Sequence, residues 1–328
     1  MTPKENFYAM INGGEPEYAP CFTVDFNASV LITNNADQPW QGGVDPFGVT
    51  WSMTHEGPIP KPGDFMFTEI SDWEKYVKFP DVDSLGLEQM AAIERQNMDP
   101  NKPTVMMSVC GIFERMAAFM GFENTLIALA EDPEECMRFA EAFANYKIAV
   151  IERGIDLVHP DMVALFDDVA TARGLFMSPE CWRRVIKPFD KKIADAVRAK
   201  GVIFCMHTCG KCEDIVDDYV EIGAQWWNSA QPMNDLKKIM EKHAGRLVVD
   251  GGWDSEGPAS YPDAAPEVIA EEAKRCLREY ACYKNFSLFP IVISATGSPM
   301  EFSPQLGIIL DTWEKGKYHD QSKNSLAL

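Results

Sequence analysis

Short strand patterns alternate with amphipathic helical patterns through the second half of the chain, and this alternation constrains the fold more than any other feature. The strand patterns cover residues 162–166, 202–206, 224–228, 246–250 and 286–293. Strands that are apolar on both faces and joined by helices are typical of a parallel sheet with both sides covered. Eight such strands fit a chain of 328 residues. The sequence therefore predicts an α/β protein, a single (β/α)8 TIM barrel over 1–328 with an elaborated N-terminal segment.

Capping residues mark the predicted helix boundaries. Ser178 is a predicted N-cap, Pro179 takes the first helical position, and Gly201 ends the pattern. Because Pro188 lies inside this pattern, we expect a kink there. The other helices are predicted over 215–223, 235–244 and 266–280, and over about 112–130 and 132–153 in the first half, where 105–109 is a predicted strand.

The composition excludes several classes of protein. The chain has 30 Lys and Arg against 50 Asp and Glu, a net charge of −20, whereas nucleic-acid binding needs an excess of basic residues to neutralise phosphates. No apolar run approaches the roughly 20 residues of a membrane-spanning helix. The nine cysteines are odd in number and mostly scattered, and the N-terminus has no signal-peptide pattern. We therefore expect a cytoplasmic protein that binds neither nucleic acid nor membranes.

Polar residues follow the predicted strands, where a parallel barrel collects its active site. These residues are Asp167, Asp168, His207, Cys209, Asn228, Gln231, Asp250, Trp253, Asp254 and the segment 294–297. They are far apart in the sequence, yet the predicted fold brings them together at the carboxyl ends of the barrel strands, which we call the mouth. Polar groups at the ends of five apolar strands exceed what a core requires, so the sequence predicts an active site there.

His207 and Cys209 are the most specific pair in this set. In an extended segment, residues two apart point the same way, so the imidazole and the thiol would face one point. This arrangement suits a zinc ion with mixed nitrogen and sulfur ligands. Cys212 adds a nearby sulfur but is expected in the first turn of the next helix. The alternative is a polar loop with buried free cysteines, and the sequence does not identify a third zinc ligand.

Three carboxylates are candidate catalytic acids. If Asp167 and Asp168 both face the mouth, they would share a proton and one pKa would rise, as general acid catalysis needs. Alternatively, one of them caps the following turn. Glu114 follows the strand at 105–109 and would also reach the mouth, unless it pairs on the surface with a neighbour such as Arg115.

Several stretches of the sequence carry a resemblance to a known family. They are LFDDVATARGLFMSPECWRRVIKPF, FCMHTCGKCEDIVDDYVEIGAQWWNSAQP and RLVVDGGWDS, with looser agreement through DPFGVTW, DWEKYVKFPD and GIFERMAAFMGFENTL. The chain resembles the uroporphyrinogen decarboxylase superfamily over about residues 5–315. The resemblance implies a (β/α)8 barrel. It also implies one of two activities, because the superfamily contains porphyrinogen decarboxylases and cobalamin-dependent methyltransferases, among them methylcobalamin:coenzyme M enzymes and O-demethylase components.

The number of basic residues near the N-terminus distinguishes the decarboxylase branch from the methyltransferase branch. The decarboxylases meet a substrate with eight carboxylates through arginines in an RQAGR-like segment near the N-terminus. Here YAPCFTVDFNASV takes that place, and no Lys or Arg occurs between Lys4 and Lys61. Binding a polyanion there would leave many buried charges unpaired, at a cost of several kcal/mol each. The sequence therefore disfavours a uroporphyrinogen substrate.

The methyltransferase branch is similar to this chain at its H-x-C-G zinc motif, which His207 and Cys209 match. Those enzymes commonly supply a third ligand, a cysteine, in the last strand segment, whereas residues 292–299 here read VISATGSP. Three alternatives stay open: a carboxylate takes the place of that cysteine, the substrate does so, or no metal binds. The resemblance implies zinc as a cofactor, and cobalamin supplied by a corrinoid-binding partner protein.

The residues around the predicted mouth favour a neutral substrate. Aromatic side chains are dense and basic ones sparse there, which suits a small methoxylated compound such as an aryl methyl ether. The predicted substrate-binding residues are Phe26, Asn27, Trp51, Asn228, Trp253 and Asp254. We therefore predict O-demethylation by methyl transfer to cob(I)alamin. The alternatives are a decarboxylase, acting on uroporphyrinogen or a smaller carboxylate, and a non-catalytic docking or chaperone subunit. The oligomeric state stays open, a homodimer included.

Overall fold

The computed structural model describes residues 1–54, 57–292 and 304–326. In chain order, its strands are β1 (Asn27–Ser29), β2 (Gly43–Val44), β3 (Thr50–Thr54), β4 (Gly57–Pro60), β5 (Thr104–Ser108), β6 (Met162–Phe166), β7 (Ala170–Thr171), β8 (Gly174–Leu175), β9 (Ile203–His207), β10 (Trp226–Ala230), β11 (Val248–Gly252) and β12 (Phe286–Phe289).

The helices are α1 (Pro3–Ile11), α2 (Phe22–Asp25), α3 (Trp73–Tyr76), α4 (Leu87–Arg95), α5 (Ile112–Met120), α6 (Phe122–Glu131), α7 (Pro133–Val158), α8 (Pro179–Val185), α9 (Lys187–Ala199), α10 (Val216–Ile222), α11 (Leu236–Lys242), α12 (Pro266–Tyr280) and α13 (Pro304–Glu314). Short 3-10 or π turns cover Thr33–Asp37, Ile70–Asp72, Val82–Ser84, Glu213–Ile215, Pro258–Ser260 and Gln321–Lys323.

A curled parallel sheet of seven strands organises the fold. Its strand order is β1-β5-β6-β9-β10-β11-β12, and every pair is parallel. Helices join successive strands from β5 onward, as the sequence predicts. Two small antiparallel sheets, β2-β3-β4 and β7-β8, are appended to it. The α/β class is therefore confirmed, together with a parallel sheet joined by helices.

An eighth strand is reduced to a single bridge in the described part of the chain. Cys21 pairs in parallel with Leu288 of the edge strand β12, and the Leu288 N–H donates to the Pro20 carbonyl at 2.8 Å. The pairing stops there because the short helix α2 begins at Phe22. The chain then continues into β1, the opposite edge of the sheet, so the two edges approach each other. A complete eight-stranded barrel is not confirmed.

Most strand and helix boundaries lie close to those predicted from the sequence. The strand at 162–166 and the helix at 266–280 have the predicted bounds, and the other main strands shift by up to two residues or end earlier. The predicted helix over 112–130 is broken into α5 and α6 at Gly121, whose φ of +86° a helix cannot accommodate. The kink expected at Pro188 is a break at Ile186, because Pro188 occupies the first turn of α9.

The interior of the curled sheet is apolar at its amino end. Phe7 and Met10 of α1 pack there, in one cluster with the inward-facing Val105, Ala164 and Trp226. A second, larger core lies between the strands and the surrounding helices. The amino end is therefore closed by side chains. Within the described residues, no helix is both long enough and apolar enough to cross a membrane.

Candidate metal and active site

Three ligand-type side chains meet at the carboxyl ends of β6 and β9. These neighbouring strands pair Phe166 with His207. Asp168 therefore lies beside Cys209, two residues further along each chain segment. The Cys209 N–H donates to Asp168 Oδ1 at 2.6 Å. His207 Nε2 lies 3.5 Å from Cys209 Sγ and 3.9 Å from Asp168 Oδ1. We call Asp168, His207 and Cys209, whose ligand atoms all lie within 4.8 Å of one another, the donor cluster.

The loop after β9 is held by its backbone. Gly210 has a φ of +88°, and a Cβ there would lie 2.7 Å from the Thr171 carbonyl oxygen, so the turn needs glycine. The Gly210 N–H donates to Gln231, and the Cys212 N–H donates to Asn234 at 2.9 Å. Cys212 is buried just before the turn at Glu213–Ile215. These bonds fix Cys209 in place without using its sulfur.

A chain of hydrogen bonds orients the imidazole of His207. The strand pairing puts His207, Asn228 and Asp250 at one level of β9, β10 and β11. His207 Nδ1 contacts Asn228 Oδ1, and Asn228 Nδ2 donates to Asp250 Oδ2 at 2.6 Å. The Phe166 ring stacks on the imidazole, with centroids 3.8 Å apart. Burial lowers the pKa of His207, which favours the neutral ring, and raises that of Asp250 to about 7.

Asp167 caps a neighbouring helix. Its carboxylate accepts the N–H groups of Phe113 at 3.1 Å and Glu114 at 3.0 Å, in the first turn of α5. A Cβ on Gly111 would lie 2.4 Å from the Asp167 Cβ, so glycine is needed for this close approach. Of the two alternatives for the aspartate pair, one member indeed caps, although it caps α5 rather than the following turn. Burial raises the pKa of Asp167 to about 7.

Glu114 lies beside the donor cluster rather than in a surface ion pair. Its carboxyl accepts the Gly111 N–H at 3.3 Å, while Arg115 pairs with Asp45. Burial raises the pKa of Glu114 well above its ordinary value, and the negative charges of Asp168 and Asp167 raise it further. Burial and the charge of Asp168 also raise the pKa of the Cys209 thiol. The mouth is therefore rich in carboxyl groups that compete for protons.

An apolar cavity of about 510 Å³ shares the residue Phe289 with the surroundings of His207, and no residue of the donor cluster lines it. Phe26 and Asn27, two of the predicted substrate-binding residues, line it together with Met107 and Phe289. Phe289 connects the cavity to the site, since its ring is roughly perpendicular to the imidazole of His207 at 6.4 Å. The described residues that line the cavity include no lysine or arginine and one carboxylate, Glu94.

The other predicted substrate-binding residues have different surroundings. Trp51 is buried and donates to Asp45 at 2.9 Å, beside Arg115. Trp253 is buried and donates to Ser260 at 2.8 Å. Asp254 lines a separate cavity of about 350 Å³. Asn228 makes its side-chain bonds to His207 and Asp250, and the candidate segment 294–297 lies outside the described residues. Roles for these residues in substrate binding stay predictions.

Sequence reasoning named Asp168 as an acid and did not identify it as the third member of the donor cluster. Strand register is the feature that would have found it, because pairing Phe166 with His207 places Asp168 opposite Cys209. Phe289 and Met107 were also missed as cavity residues, because their apolar side chains look like ordinary core in the sequence. The nine cysteines are all free, in agreement with the absence of a disulfide framework.

The chemistry of the donor cluster fits a zinc ion. An imidazole nitrogen, a thiol and a carboxylate are all zinc ligands, and catalytic zinc sites use three protein ligands and leave a fourth position open. If Asp250 is ionised it only accepts hydrogen bonds, so Asn228 turns its amide nitrogen to Asp250 and its oxygen to His207. The proton of His207 is then on Nδ1, and Nε2 offers its lone pair to the other two donors.

Comparison with known proteins gives a family and several solved structures with similarity to the chain. The model of the family "Uroporphyrinogen decarboxylase (URO-D)" matches residues 44–287. No curated protein sequence matches the chain. Among solved structures, the chain is similar to a methyltransferase from Methanosarcina mazei, with a TM-score of 0.62 and 16% identity, over 95% of this chain and 98% of that one. At this identity, the similarity shows the fold alone.

Two further solved structures are less similar. Dispersin B has a TM-score of 0.36 and 11% identity, over 95% of this chain and 91% of that chain. The catalytic domain of a family GH18 chitinase from the fern Peteris ryukyuensis has a TM-score of 0.31 and 9% identity, over 69% and 77%. Neither similarity is close enough to carry an argument.

Proposed function

Because the chain belongs to the uroporphyrinogen decarboxylase family, as its sequence motifs predict, we propose that it is a methyltransferase of that family. The proposed substrate is a small methoxylated compound, an aryl methyl ether, and the proposed acceptor is cob(I)alamin on a corrinoid-binding partner protein. The observation that carries this proposal is the donor cluster, whose three ligand atoms lie within 4.8 Å of one another at the end of the sheet. The methyltransferase from Methanosarcina mazei supports the choice of branch.

The charge of the site supports a neutral methyl donor. The cavity beside the donor cluster is lined by Phe22, Phe26 and Phe289, and no cation is among its described lining residues. Aromatic rings of this kind favour an apolar, planar ligand. An anionic substrate would bring further negative charge toward the carboxyl-rich donor cluster without a cation to pair with it. The decarboxylation of uroporphyrinogen is therefore the less favoured function.

The chain's own residues can perform the parts of demethylation other than accepting the methyl group. The C–O bond breaks, the methyl group leaves without the bonding pair, and the oxygen keeps the pair and takes a proton. Zinc, when bound, would polarise that oxygen as a Lewis acid. Both Asp167 oxygens accept N–H groups of α5, and Asp168 belongs to the donor cluster. Glu114 is then the carboxyl best placed to give the proton.

The cavity contributes by positioning the substrate. Methyl transfer needs the donor carbon, the leaving oxygen and the acceptor in line, and fixing this alignment can supply much of the rate. The Phe289 ring beside His207 limits where an aryl ring can lie. The surrounding apolar side chains would exclude water from the breaking bond.

A methyl-transfer assay tests the proposal. Zinc-loaded protein is mixed with free cob(I)alamin and a panel of neutral methoxyarenes, and the conversion to methylcobalamin is followed by absorbance. We expect turnover that His207→Ala lowers by at least about 100-fold, since a Lewis acid supplies several kcal/mol. Asp161→Asn serves as the matched control, because Asp161 is a buried carboxylate at the amino end of β6.

Two results would contradict the proposal. One is the absence of methyl transfer from every donor by protein that retains zinc. The other is release of CO2 from a small carboxylate at a rate that is indifferent to zinc and to His207→Ala. The second result would instead favour a metal-independent decarboxylase that uses the carboxyl groups of the mouth.

A further inference from the structure

Asn228 and Asp250 form a buried polar pair at the centre of the sheet, next to His207. Asn228 is 3% exposed and Asp250 is fully buried. They occupy matching positions on β10 and β11, and His207 occupies the matching position on β9. Burying a carboxylate and an amide this deeply is costly unless the fold or the chemistry needs them. Among the described residues, the hydrogen bonds of this pair lead toward the mouth through the imidazole of His207.

We propose that Asn228 and Asp250 are positioning residues that hold His207 as the metal-binding tautomer, and that Asn228 does not bind the substrate. The proposal rests on the proposed function, because it assigns the pair to the same donor cluster. Asn228 Nδ2 donates to Asp250 Oδ2 at 2.6 Å, which directs Asn228 Oδ1 to His207 Nδ1. Nδ1 must then carry the proton, and Nε2 faces Cys209 and Asp168 with its lone pair free.

The reverse orientation of the amide would disable the site. If Asn228 turned its nitrogen toward His207, Nδ1 would accept and the proton would sit on Nε2, pointing at Cys209 Sγ. A protonated Nε2 cannot bind a metal. An ionised Asp250 prevents this reversal, because its carboxylate only accepts hydrogen bonds and would otherwise face the amide oxygen. The stacked Phe166 ring fixes the plane of the imidazole but not its proton. Metal-binding histidines generally depend on such a partner on the other ring nitrogen.

The zinc affinity of purified protein tests the proposal without any methyl-transfer activity. Competition with a chromophoric chelator measures the zinc Kd of wild type, Asn228→Leu, Asp250→Asn and the double variant N228D/D250N. We expect each single variant to weaken zinc binding by roughly 10–100-fold, the usual effect of removing such a partner. The double variant exchanges the amide and the carboxylate. It again offers an acceptor to His207 Nδ1, so its affinity should return to within about threefold of wild type.

A second measurement needs no variant. Long-range 1H–15N NMR spectra of the metal-free wild type report which ring nitrogen of His207 is protonated, with His207→Ala assigning the signals. We expect the proton on Nδ1. A proton on Nε2 would overturn the proposal even if a variant failed to fold. Asp161→Asn, a buried aspartate at the opposite end of the sheet, should leave the zinc Kd unchanged and controls for general loss of stability.

The outcomes separate this proposal from the proposed function. If wild type binds no zinc, the metal site and the proposed function fail together. If wild type binds zinc and Asp250→Asn binds it equally tightly, only the positioning role is wrong. A double variant that binds no better than Asn228→Leu also overturns the positioning role, because it restores the acceptor without restoring the affinity.

Discussion

Within the part of the chain that the structure describes, two clusters of charged or ligand-type side chains differ in how their charges are paired. The first, which we call the ion-pair cluster, consists of Asp37, Asp45, Arg115 and Lys147. Lys147 Nζ lies 2.6 Å from Asp37, Arg115 lies 2.6 Å from Asp45, and all four side chains are fully buried. The second is the donor cluster, with Glu114 and Asp167 beside it. It has carboxyl, thiol and imidazole groups, and among the described residues no lysine or arginine forms an ion pair with them.

The difference in charge pairing indicates what each cluster does. In the ion-pair cluster the charges cancel, and Asp37 and Asp45 tie the N-terminal loops to α5 and α7, so the cluster serves the fold. In the donor cluster no lysine or arginine of the described chain pairs with the carboxyl groups, and His207 Nε2 faces Cys209 and Asp168. Uncancelled, perturbed groups beside a cavity are typical of functional sites. A bound cation would complete the donor cluster, whereas the ion-pair cluster is complete already.

The largest effect is expected in the ion-pair cluster. Lys147→Met leaves the buried Asp37 carboxylate without its cation and the Val109 carbonyl without its donor. We expect the free energy of unfolding to fall by about 3–5 kcal/mol, as is usual when one partner of a buried pair is removed. Urea denaturation of metal-free protein measures this loss.

The double variant K147M/D37L sharpens this test. Removing both members of the Lys147–Asp37 pair leaves no unpaired buried charge at that position, so most of the lost stability should return. A double variant as unstable as Lys147→Met would mean that packing, not charge pairing, accounts for the loss. The ion-pair cluster would then not be the cancelled-charge structure that the comparison assumes.

A smaller effect is expected from pH at the uncancelled carboxylates. Burial raises the pKa of Asp250 from 3.8 to about 7, so the native state holds a proton that the unfolded chain has lost. The contribution of this carboxyl to stability therefore falls as the pH rises from about 4 to 7. The Asp250→Asn variant has no carboxyl at this position, so it does not lose stability in this way as the pH rises. Relative to wild type, the variant should gain stability between pH 5 and pH 8 in urea titrations, and a constant difference would contradict the assignment.

The smallest effect is expected at the rim of the apolar cavity. Ile93 is 51% exposed and lines the cavity, so Ile93→Lys adds a cation at little cost in stability. An exposed charge pair contributes about 0.2–1 kcal/mol. The KM for methoxybenzoates should fall by up to about fivefold, while that for neutral methoxyarenes rises or is unchanged. Ile127→Lys, at an exposed position on α6, is the matched control. Equal KM values in both variants would show that the substrate does not enter this cavity.

Strand and helix patterns predicted most of the fold because they follow from local periodicity. The strand Met162–Phe166 and the helix Pro266–Tyr280 were predicted to the residue. The single-bridge closure at Cys21 was not predictable, since it depends on where α2 interrupts the chain. The ion-pair cluster was missed for a related reason. Asp37 and Asp45 lie in irregular segments where no periodicity reveals burial.

Part of the site was predicted, because the ends of the strands can be identified from the sequence. Spacing along one strand is enough to pair His207 with Cys209. Identifying Asp168 as their partner needs the pairing of β6 with β9, which is a property of the folded sheet. Asn228 was predicted to bind substrate because it follows a strand. In the structure its side chain is hydrogen-bonded to His207 and Asp250 on the two neighbouring strands. The sequence does not specify these partners.

The ligand shell of the metal tests the central claim most directly. Zinc K-edge X-ray absorption of zinc-loaded wild type should show one sulfur at about 2.3 Å, with the remaining ligands nitrogen and oxygen at about 2.0–2.2 Å. Cys209→Ala should remove the sulfur contribution. A shell with two sulfurs would mean that Cys212, not Asp168, completes the site. A protein that retains no stoichiometric zinc would contradict the account.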